Sequence, residues 1–166
     1  MPVHPFNDVN AFHRTMRAVA ATKAGSVLFR PTAHHLDQLV SKLTGGKRSF
    51  AGIAAGLPTV MLTTTGAKSG KPRTVALLGI PHPDSVAVVA ANYGGAKHPA
   101  WYHNLKADRA ATVTLEGETW RAIARPATPR VRDEIWADGV EMYPGLAKEE
   151  AWAGDRQIEA FVLDRI

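Results

Sequence analysis

The stretch TVMLTTTGAKSGKPRTVALLGI, residues 59–80, predicts two β-strands joined by a polar loop. Residues 59–64 and 74–80 are short and rich in β-branched or apolar side chains, which is typical of strands. The residues between them combine glycines, hydroxyls and cationic side chains, which favour a turn over a continuing strand. The fold is therefore expected to contain a hairpin whose loop carries concentrated positive charge.

That loop suits a bound phosphate. Gly66 and Gly70 allow backbone N–H groups to turn inward as an anion-binding nest, and cations follow at Lys68, Lys71 and Arg73. The spacing is not that of a Walker P-loop, because three residues separate the glycines and a proline follows the second lysine. A phosphate cradle without nucleotide triphosphate hydrolysis is the functional interpretation, and an ordinary solvated hairpin loop is the alternative.

The rest of the chain alternates short strands with few helices. Further strands are predicted at residues 86–91, 111–116, 119–125 and 161–163. Helices are predicted at residues 99–107 and 130–143, the second stopped by Pro144-Gly145. Because the strands do not alternate regularly with helices, a doubly wound parallel sheet is disfavoured. We predict an α+β protein with a mainly β core, built as an antiparallel barrel with helices attached.

The first fifty residues have helical spacing. Asn7 or Asp8 can cap a helix whose apolar stripe is Val9, Phe12, Met16 and Val19. A second helix is expected after Pro31 and is expected to end at Gly45-Gly46. We therefore expect residues 1–50 to form an N-terminal helical segment and residues 51–166 to form the barrel, within a single structural domain.

Composition excludes several kinds of site. The 166 residues contain no cysteine, which removes disulfides, thiolate catalysis, iron–sulfur clusters and cysteine zinc sites. The histidines lack a metal-binding spacing and no Gly-x-Ser-x-Gly element is present, so neither a metal nor a serine nucleophile is predicted. No apolar run could span a bilayer and the start lacks the layout of a secretion signal, which favours a cytoplasmic protein.

A second segment, ANYGGAKHPAWYHNL at residues 91–105, leaves a strand, passes a double glycine and enters a helix rich in aromatic residues. Glycines let the main chain approach a flat ligand closely, and the helix N-terminus favours a negative group. Trp101 and Tyr102 could wall an aromatic ring. The alternative is that Trp101 is core packing.

Together these segments resemble the deazaflavin-dependent nitroreductase family, actinobacterial reductases that use reduced coenzyme F420. The resemblance is carried by LTTTGAKSGKPR (62–73), AANYGG (90–95) and HPAWYHNLKAD (98–108), and extends to MYPG (142–145) and FVL (161–163). It covers about residues 58–166. It implies a split β-barrel related to FMN-binding folds, with coenzyme F420 as cofactor.

The resemblance also implies site residues. The phospholactyl and glutamyl tail of F420 would be held by Leu62, Thr63, Ala67, Lys68, Ser69, Gly70, Lys71, Pro72 and Arg73. The deazaflavin ring system would be surrounded by Val89, Ala90, Ala91, Asn92, Ala100, Trp101, Tyr102, His103 and Asn104. Tyr143 would border the acceptor side as the catalytic residue.

The implied reaction is hydride transfer from reduced F420 to a quinone, an activated enone or enoate, or a nitro acceptor, with Tyr143 or water supplying the proton. One position departs from the family pattern. Relatives active on nitroimidazoles carry a second tyrosine shortly after the first, where this chain has Leu146. A hydroxyl is missing there, which favours enones or quinones over nitro compounds.

Two other functions remain open from the sequence. With a net charge of +5, the basic N-terminal helix could bind an anionic membrane or nucleic acid, although its cations do not interleave with aromatics as in single-strand platforms. No nucleic-acid partner is therefore expected, and a peripheral membrane contact is the alternative to a helix packed on the barrel. A split-barrel protein that binds FMN or haem is the other possibility.

Overall fold

The structure, a computed structural model, describes residues 11–20, 22–24 and 56–166. The strands are β1 (Thr59–Thr65), β2 (Pro72–Leu78), β3 (Ile80–His82), β4 (Ser85–Val89), β5 (Ala110–Leu115), β6 (Glu118–Pro126) and β7 (Ala160–Arg165). The α-helices are α1 (Ala11–Ala20), α2 (Ala100–Ala107), α3 (Pro129–Met142) and α4 (Gly145–Ala153). A short 3-10 turn covers Asn92–Gly94.

The strands form a single curled sheet in the order β2-β1-β5-β6-β7-β4-β3. Every neighbouring pair is antiparallel. The sheet curls far enough for β2 to contact β4 as well, which encloses an apolar interior. This is an α+β split barrel, so the predicted fold class is confirmed.

Alternation along β1 shows why this strand anchors the barrel. Val60, Leu62 and Thr64 point to the same face and are buried, because successive side chains of a strand point to opposite sides. On the other face the hydroxyl of Thr63 lies 2.8 Å from that of Thr74 on β2. The interior residues of β1 pair with inward residues of β2 and β5, and this register fixes the loop at the end of β1.

The predicted strand at residues 74–80 is wrong in one respect, because Gly79 divides it. Up to Leu78 the chain pairs with β1, and from Ile80 it pairs with β4 on the other edge of the sheet. The Gly79 N–H donates to the carbonyl of Pro58 at 2.9 Å, and a β-carbon there would lie 2.8 Å from a methyl group of Val60. A residue with no side chain allows the chain to cross between edges.

The Pro144-Gly145 pair ends the predicted helix at residues 130–143, observed as Pro129–Met142, but it also begins a helix that we did not predict. Tyr143 is extended (φ −141°, ψ 92°) and breaks α3. Pro144 then has a helical backbone and leads directly into α4. Proline is well suited to the start of a helix, so the same dipeptide stops one helix and starts the next.

At the N-terminus the first predicted helix is observed as Ala11–Ala20 and contacts α4. The second predicted helix, after Pro31, and the predicted boundary at residue 50 lie outside the described residues. Within the described ranges, no helix is long and apolar enough to cross a membrane.

Candidate functional site

Both segments singled out from the sequence lie at the same end of the sheet. β1 runs into the loop at residues 66–71, while β5, which pairs antiparallel with β1, starts at this end directly after α2. Thr64, near the end of β1, pairs with Arg73 of β2 and with Ala111 of β5. β4 also ends here, at Val89, and leads into the 3-10 turn. The fold therefore brings the cationic loop, the double glycine and α2 together.

The loop is held mainly by its own hydrogen bonds. The N–H of Gly66 donates to the carbonyl of Lys71 at 2.9 Å, and the N–H of Gly70 donates to the carbonyl of Gly66 at 2.8 Å. The N–H of Lys71 donates to the Ser69 hydroxyl at 3.3 Å. The expected inward-turned nest is thus wrong for Gly66 and Gly70, because these N–H groups are used inside the loop.

The cationic side chains of the loop are suitably placed. Lys68, Lys71 and Arg73 are exposed, and none of them belongs to an ion pair in the described part of the chain. A β-carbon at Gly66 would lie 2.5 Å from the Ser69 hydroxyl and 3.4 Å from Cγ of Arg73, so the loop folds tightly over this glycine. The result is a compact tip that exposes three cations, which form no ion pair among the described residues.

Asn104 joins α2 to this loop. Its Oδ1 accepts from the N–H of Ala67 at 2.9 Å and its Nδ2 donates to the Thr64 hydroxyl at 3.0 Å. The side chain is 7% exposed, so it has little surface left for a ligand. The resemblance implied a ring contact for Asn104, whereas the structure gives it the role of fixing α2 against the loop.

Several other residues that the resemblance assigns to the cofactor have buried side chains. Leu62 is buried in the barrel interior, because it lies on the inward face of β1. Trp101 is 5% exposed and packs edge-on against Phe161. It is therefore a core residue, which was the alternative interpretation from the sequence. The side chains of Ala90 and Ala91 are buried as well.

The surface of α2 offers different aromatic groups. Tyr102 is half-buried and stacks on His98, with ring centroids 4.1 Å apart and planes 13° from parallel. His103 and Ala100 are exposed on the same helix. Burial, followed by the positive charge of Arg156, lowers the pKa of His98, so its imidazole is held in the neutral form.

The turn after β4 has an unusual backbone. Asn92 (φ 51°), Tyr93 (φ 52°) and Gly94 (φ 68°) are all left-handed, although two of them carry a side chain. A residue other than glycine in this conformation costs of order 1–3 kcal/mol and persists only where its surroundings hold it. Asn92 contributes by donating from Nδ2 to the carbonyl of Lys97 at 2.8 Å.

Arg156 also holds this segment, and we did not predict it from the sequence. Its guanidinium donates to the carbonyls of Ala90 at 2.8 Å, Ala91 at 2.6 Å and Gly95 at 2.7 Å. These partners are more than sixty residues away in the chain. No local pattern around Arg156 could have indicated the contact.

Tyr143 lies half-buried between α3 and α4. Its ring packs against Gly145, where a β-carbon would lie 2.7 Å from Cε1. Burial, followed by the charges of Glu149 and Tyr93, raises the pKa of the Tyr143 phenol well above its usual value. The phenol is therefore a neutral hydrogen-bond donor. By contrast, Leu146 is 4% exposed and packs in a core cluster with Ala91 and Ile158.

In the part of the chain that the structure describes, no group of three or more His, Cys, Asp or Glu side chains is placed to hold a metal ion. The site thus combines a cationic hairpin tip, a rigidly held turn and a neutral tyrosine. These groups can bind an anionic tail and donate a hydrogen bond to an acceptor.

Known proteins share this arrangement of sequence and fold. A curated F420H(2)-dependent quinone reductase of Mycobacterium tuberculosis is 36% identical over 81 residues, which are 48% of this chain and 54% of that protein. The chain thus spans about half the length of the curated relatives that it first matches.

Solved structures agree. An F420-H2 dependent reductase is 37% identical with a TM-score of 0.60, and the match covers 64% of this chain and 94% of the other. A protein solved as a domain-swapped dimer is 31% identical with a TM-score of 0.62, covering 81% of this chain and 99% of the other. A family model described as F420H(2)-dependent quinone reductase matches residues 37–165. Since this match spans most of the sequence, the chain belongs to the F420H(2)-dependent quinone reductase family.

Proposed function

We propose that this protein is an oxidoreductase that uses reduced F420 to reduce a small-molecule acceptor, with a quinone as the first choice and enones, enoates or nitro compounds as weaker ones. The observation that carries the proposal is the tip of the β1–β2 hairpin, where three exposed cations form no ion pair among the described residues. The family to which the chain belongs is described as F420H(2)-dependent, and F420 is a cofactor with an anionic tail.

The residues at this tip fit the anionic tail of F420. Lys68, Lys71 and Arg73 would bind its phosphate and carboxylate groups through charge-assisted hydrogen bonds, which are worth about 1.5–3 kcal/mol each. Ser69 and Gly70 would shape the loop, and Asn104 would hold it against α2. When bound, reduced F420 supplies the hydride.

Tyr143 would orient the acceptor. Because its raised pKa keeps the phenol protonated throughout the neutral and mildly alkaline range, the hydroxyl can donate a hydrogen bond to an acceptor oxygen. Such a donor stabilises the negative charge that develops on that oxygen as hydride arrives. A proton from water would then complete the reduction, since a phenol with a raised pKa is a poor source of protons.

The experiment is a titration of F420 against the protein and its Lys68→Ala and Arg73→Ala variants, with Arg130→Ala as the control. Arg130 is also an exposed arginine, but it lies at the start of α3 and pairs with Glu134. Each tip variant should weaken F420 binding about 5- to 150-fold, corresponding to about 1–3 kcal/mol, and the control should not. Unchanged F420 affinity in both tip variants would show that Lys68 and Arg73 do not bind the tail. Tight binding of FMN or haem in place of F420 would support the alternative of an FMN- or haem-binding split barrel.

We also propose a peripheral membrane contact through α1, near a source of quinone. Phe12 and Val19 are exposed seven residues apart, on the same side of α1, and Arg14 and Lys23 add exposed positive charge nearby. Co-sedimentation with anionic vesicles should fall in a Phe12→Ser, Val19→Ser double variant. Equal sedimentation of both proteins would leave α1 with a structural role, consistent with its contact to α4.

A further inference from the structure

Tyr93 occupies a position that costs backbone strain. It is the middle residue of the left-handed run Asn92, Tyr93 and Gly94, and it is 37% exposed. A bulky side chain in this conformation is uncommon, and such outliers concentrate at functional sites. The fold has to supply specific contacts to keep the ring in this place.

Those contacts come from both sides of the turn. A β-carbon at Gly94 would lie 2.6 Å from Cβ of Trp152 and 2.8 Å from the carbonyl of Glu149, so the turn sits directly on α4. On the other side, Arg156 binds the carbonyls of Ala91 and Gly95, which flank the run. The position of Tyr93 relative to α4 is thus fixed by packing and by charged hydrogen bonds.

α4 starts immediately after Tyr143, whose ring lies against Gly145 at the first turn of that helix. Glu149, one turn further on, touches Gly94 through its backbone. Gly145, Glu149 and Trp152 lie on one face of α4, so the strained turn and the Tyr143 ring contact the same face of this helix, Tyr143 at its first turn and Gly94 from one turn further on. The electrostatic coupling of Tyr93 and Tyr143, seen in the raised pKa of Tyr143, agrees with this arrangement.

Resting on the proposed function, we infer that Tyr93 is a second acceptor-binding residue, which together with Tyr143 selects planar acceptors bearing two carbonyl oxygens. Leu146 cannot supply a hydroxyl, and its side chain is buried in the core. A phenol from the turn after β4 provides that group from the other side. A 1,4-quinone presents an oxygen at each end of its ring and can use both donors, whereas a monocarbonyl enone can use only one.

The test compares Tyr93→Phe, which removes only the hydroxyl, with Tyr93→Asn, which removes the ring but suits a left-handed backbone. Ile123→Ala serves as the control, because Ile123 is 38% exposed on β6, outside this turn. For each protein we would measure F420 affinity, melting temperature, and KM and kcat for a 1,4-benzoquinone and for a cyclic enone.

Tyr93→Phe should raise KM for the quinone about 3- to 12-fold, the loss expected for one hydrogen bond. The enone parameters and F420 affinity should stay within about twofold. Tyr93→Asn should raise the quinone KM further and leave the melting temperature unchanged. If Tyr93 had only a structural role, the melting temperature would fall as well. Equal changes for quinone and enone, or none for either, would overturn the inference while leaving the proposed function in place. If the wild type binds no F420 and reduces no quinone, both the proposed function and the inference about Tyr93 are wrong.

Discussion

Replacing Asn104 with alanine would separate the loop at residues 66–71 from α2. The change removes two hydrogen bonds, to the N–H of Ala67 and to the hydroxyl of Thr64, each with a net worth of about 0.5–1.5 kcal/mol. Alanine regains about 0.5 kcal/mol of helix propensity in α2, while the small cavity left at this buried position adds a further cost. We expect the free energy of unfolding to fall by about 2 kcal/mol.

In a domain of this size, a loss of about 2 kcal/mol lowers the melting temperature by roughly 4–8 °C. Urea denaturation and calorimetry would measure the loss, and Asp138→Ala would be the control. Asp138 is a similarly short polar residue, exposed on α3 and without an ion pair among the described residues, so its removal reports helix propensity alone. The control should be as stable as the wild type or slightly more stable.

F420 affinity is the second measurement. Because the loop would no longer be fixed to α2, its cations would have to be ordered on binding, and we expect affinity to drop about tenfold. A variant that unfolds with the wild-type free energy would show that the two hydrogen bonds contribute nothing. A destabilised variant with unchanged affinity would show that the loop keeps its shape through its own hydrogen bonds.

Two further changes follow from burial. Because the pKa of His98 is lowered in the folded state, the unfolded chain takes up the proton first as pH falls below about 6.5. The melting temperature should therefore drop between pH 7 and pH 5, and less so in His98→Gln; parallel curves for the two proteins would contradict this. Leu146→Tyr should destabilise the protein by about 1–3 kcal/mol through overpacking, whereas Leu146→Met should cost less than about 1.5 kcal/mol. Undiminished stability in urea together with faster nitroimidazole reduction by Leu146→Tyr would show that the tyrosine reaches the acceptor instead.

Local patterns predicted much of the fold. β1, the β5–β6 hairpin and α2 follow from alternation, from a glycine in a turn and from a proline at a helix start. The break at Gly79 was missed because the apolar run continues through it, and only the pairing partner changes. α4 was missed because Pro144-Gly145 is as compatible with a helix start as with a stop.

The candidate site shows the same division. The cations at Lys68, Lys71 and Arg73 are neighbours in sequence, so their clustering was visible without a structure. The roles of Asn104 and Arg156 depend on partners about forty and sixty residues away, which no single-sequence pattern reports. The burial of Leu62 follows from the alternation of side chains in β1, which is visible in the sequence.

Arg156 donates to three main-chain oxygens of the segment after β4, at Ala90, Ala91 and Gly95, and its guanidinium also lies 3.4 Å from Nδ1 of His98. Every residue has a main-chain carbonyl group, so these three hydrogen bonds do not depend on which side chains the turn carries. Tyr93 can therefore be replaced by residues that tolerate a left-handed backbone without loss of these three hydrogen bonds, provided that Asn92 keeps its bond to Lys97 and Gly94 its place against α4. Directed evolution of acceptor preference can begin at Tyr93, because the carbonyl contacts of Arg156 do not depend on its side chain.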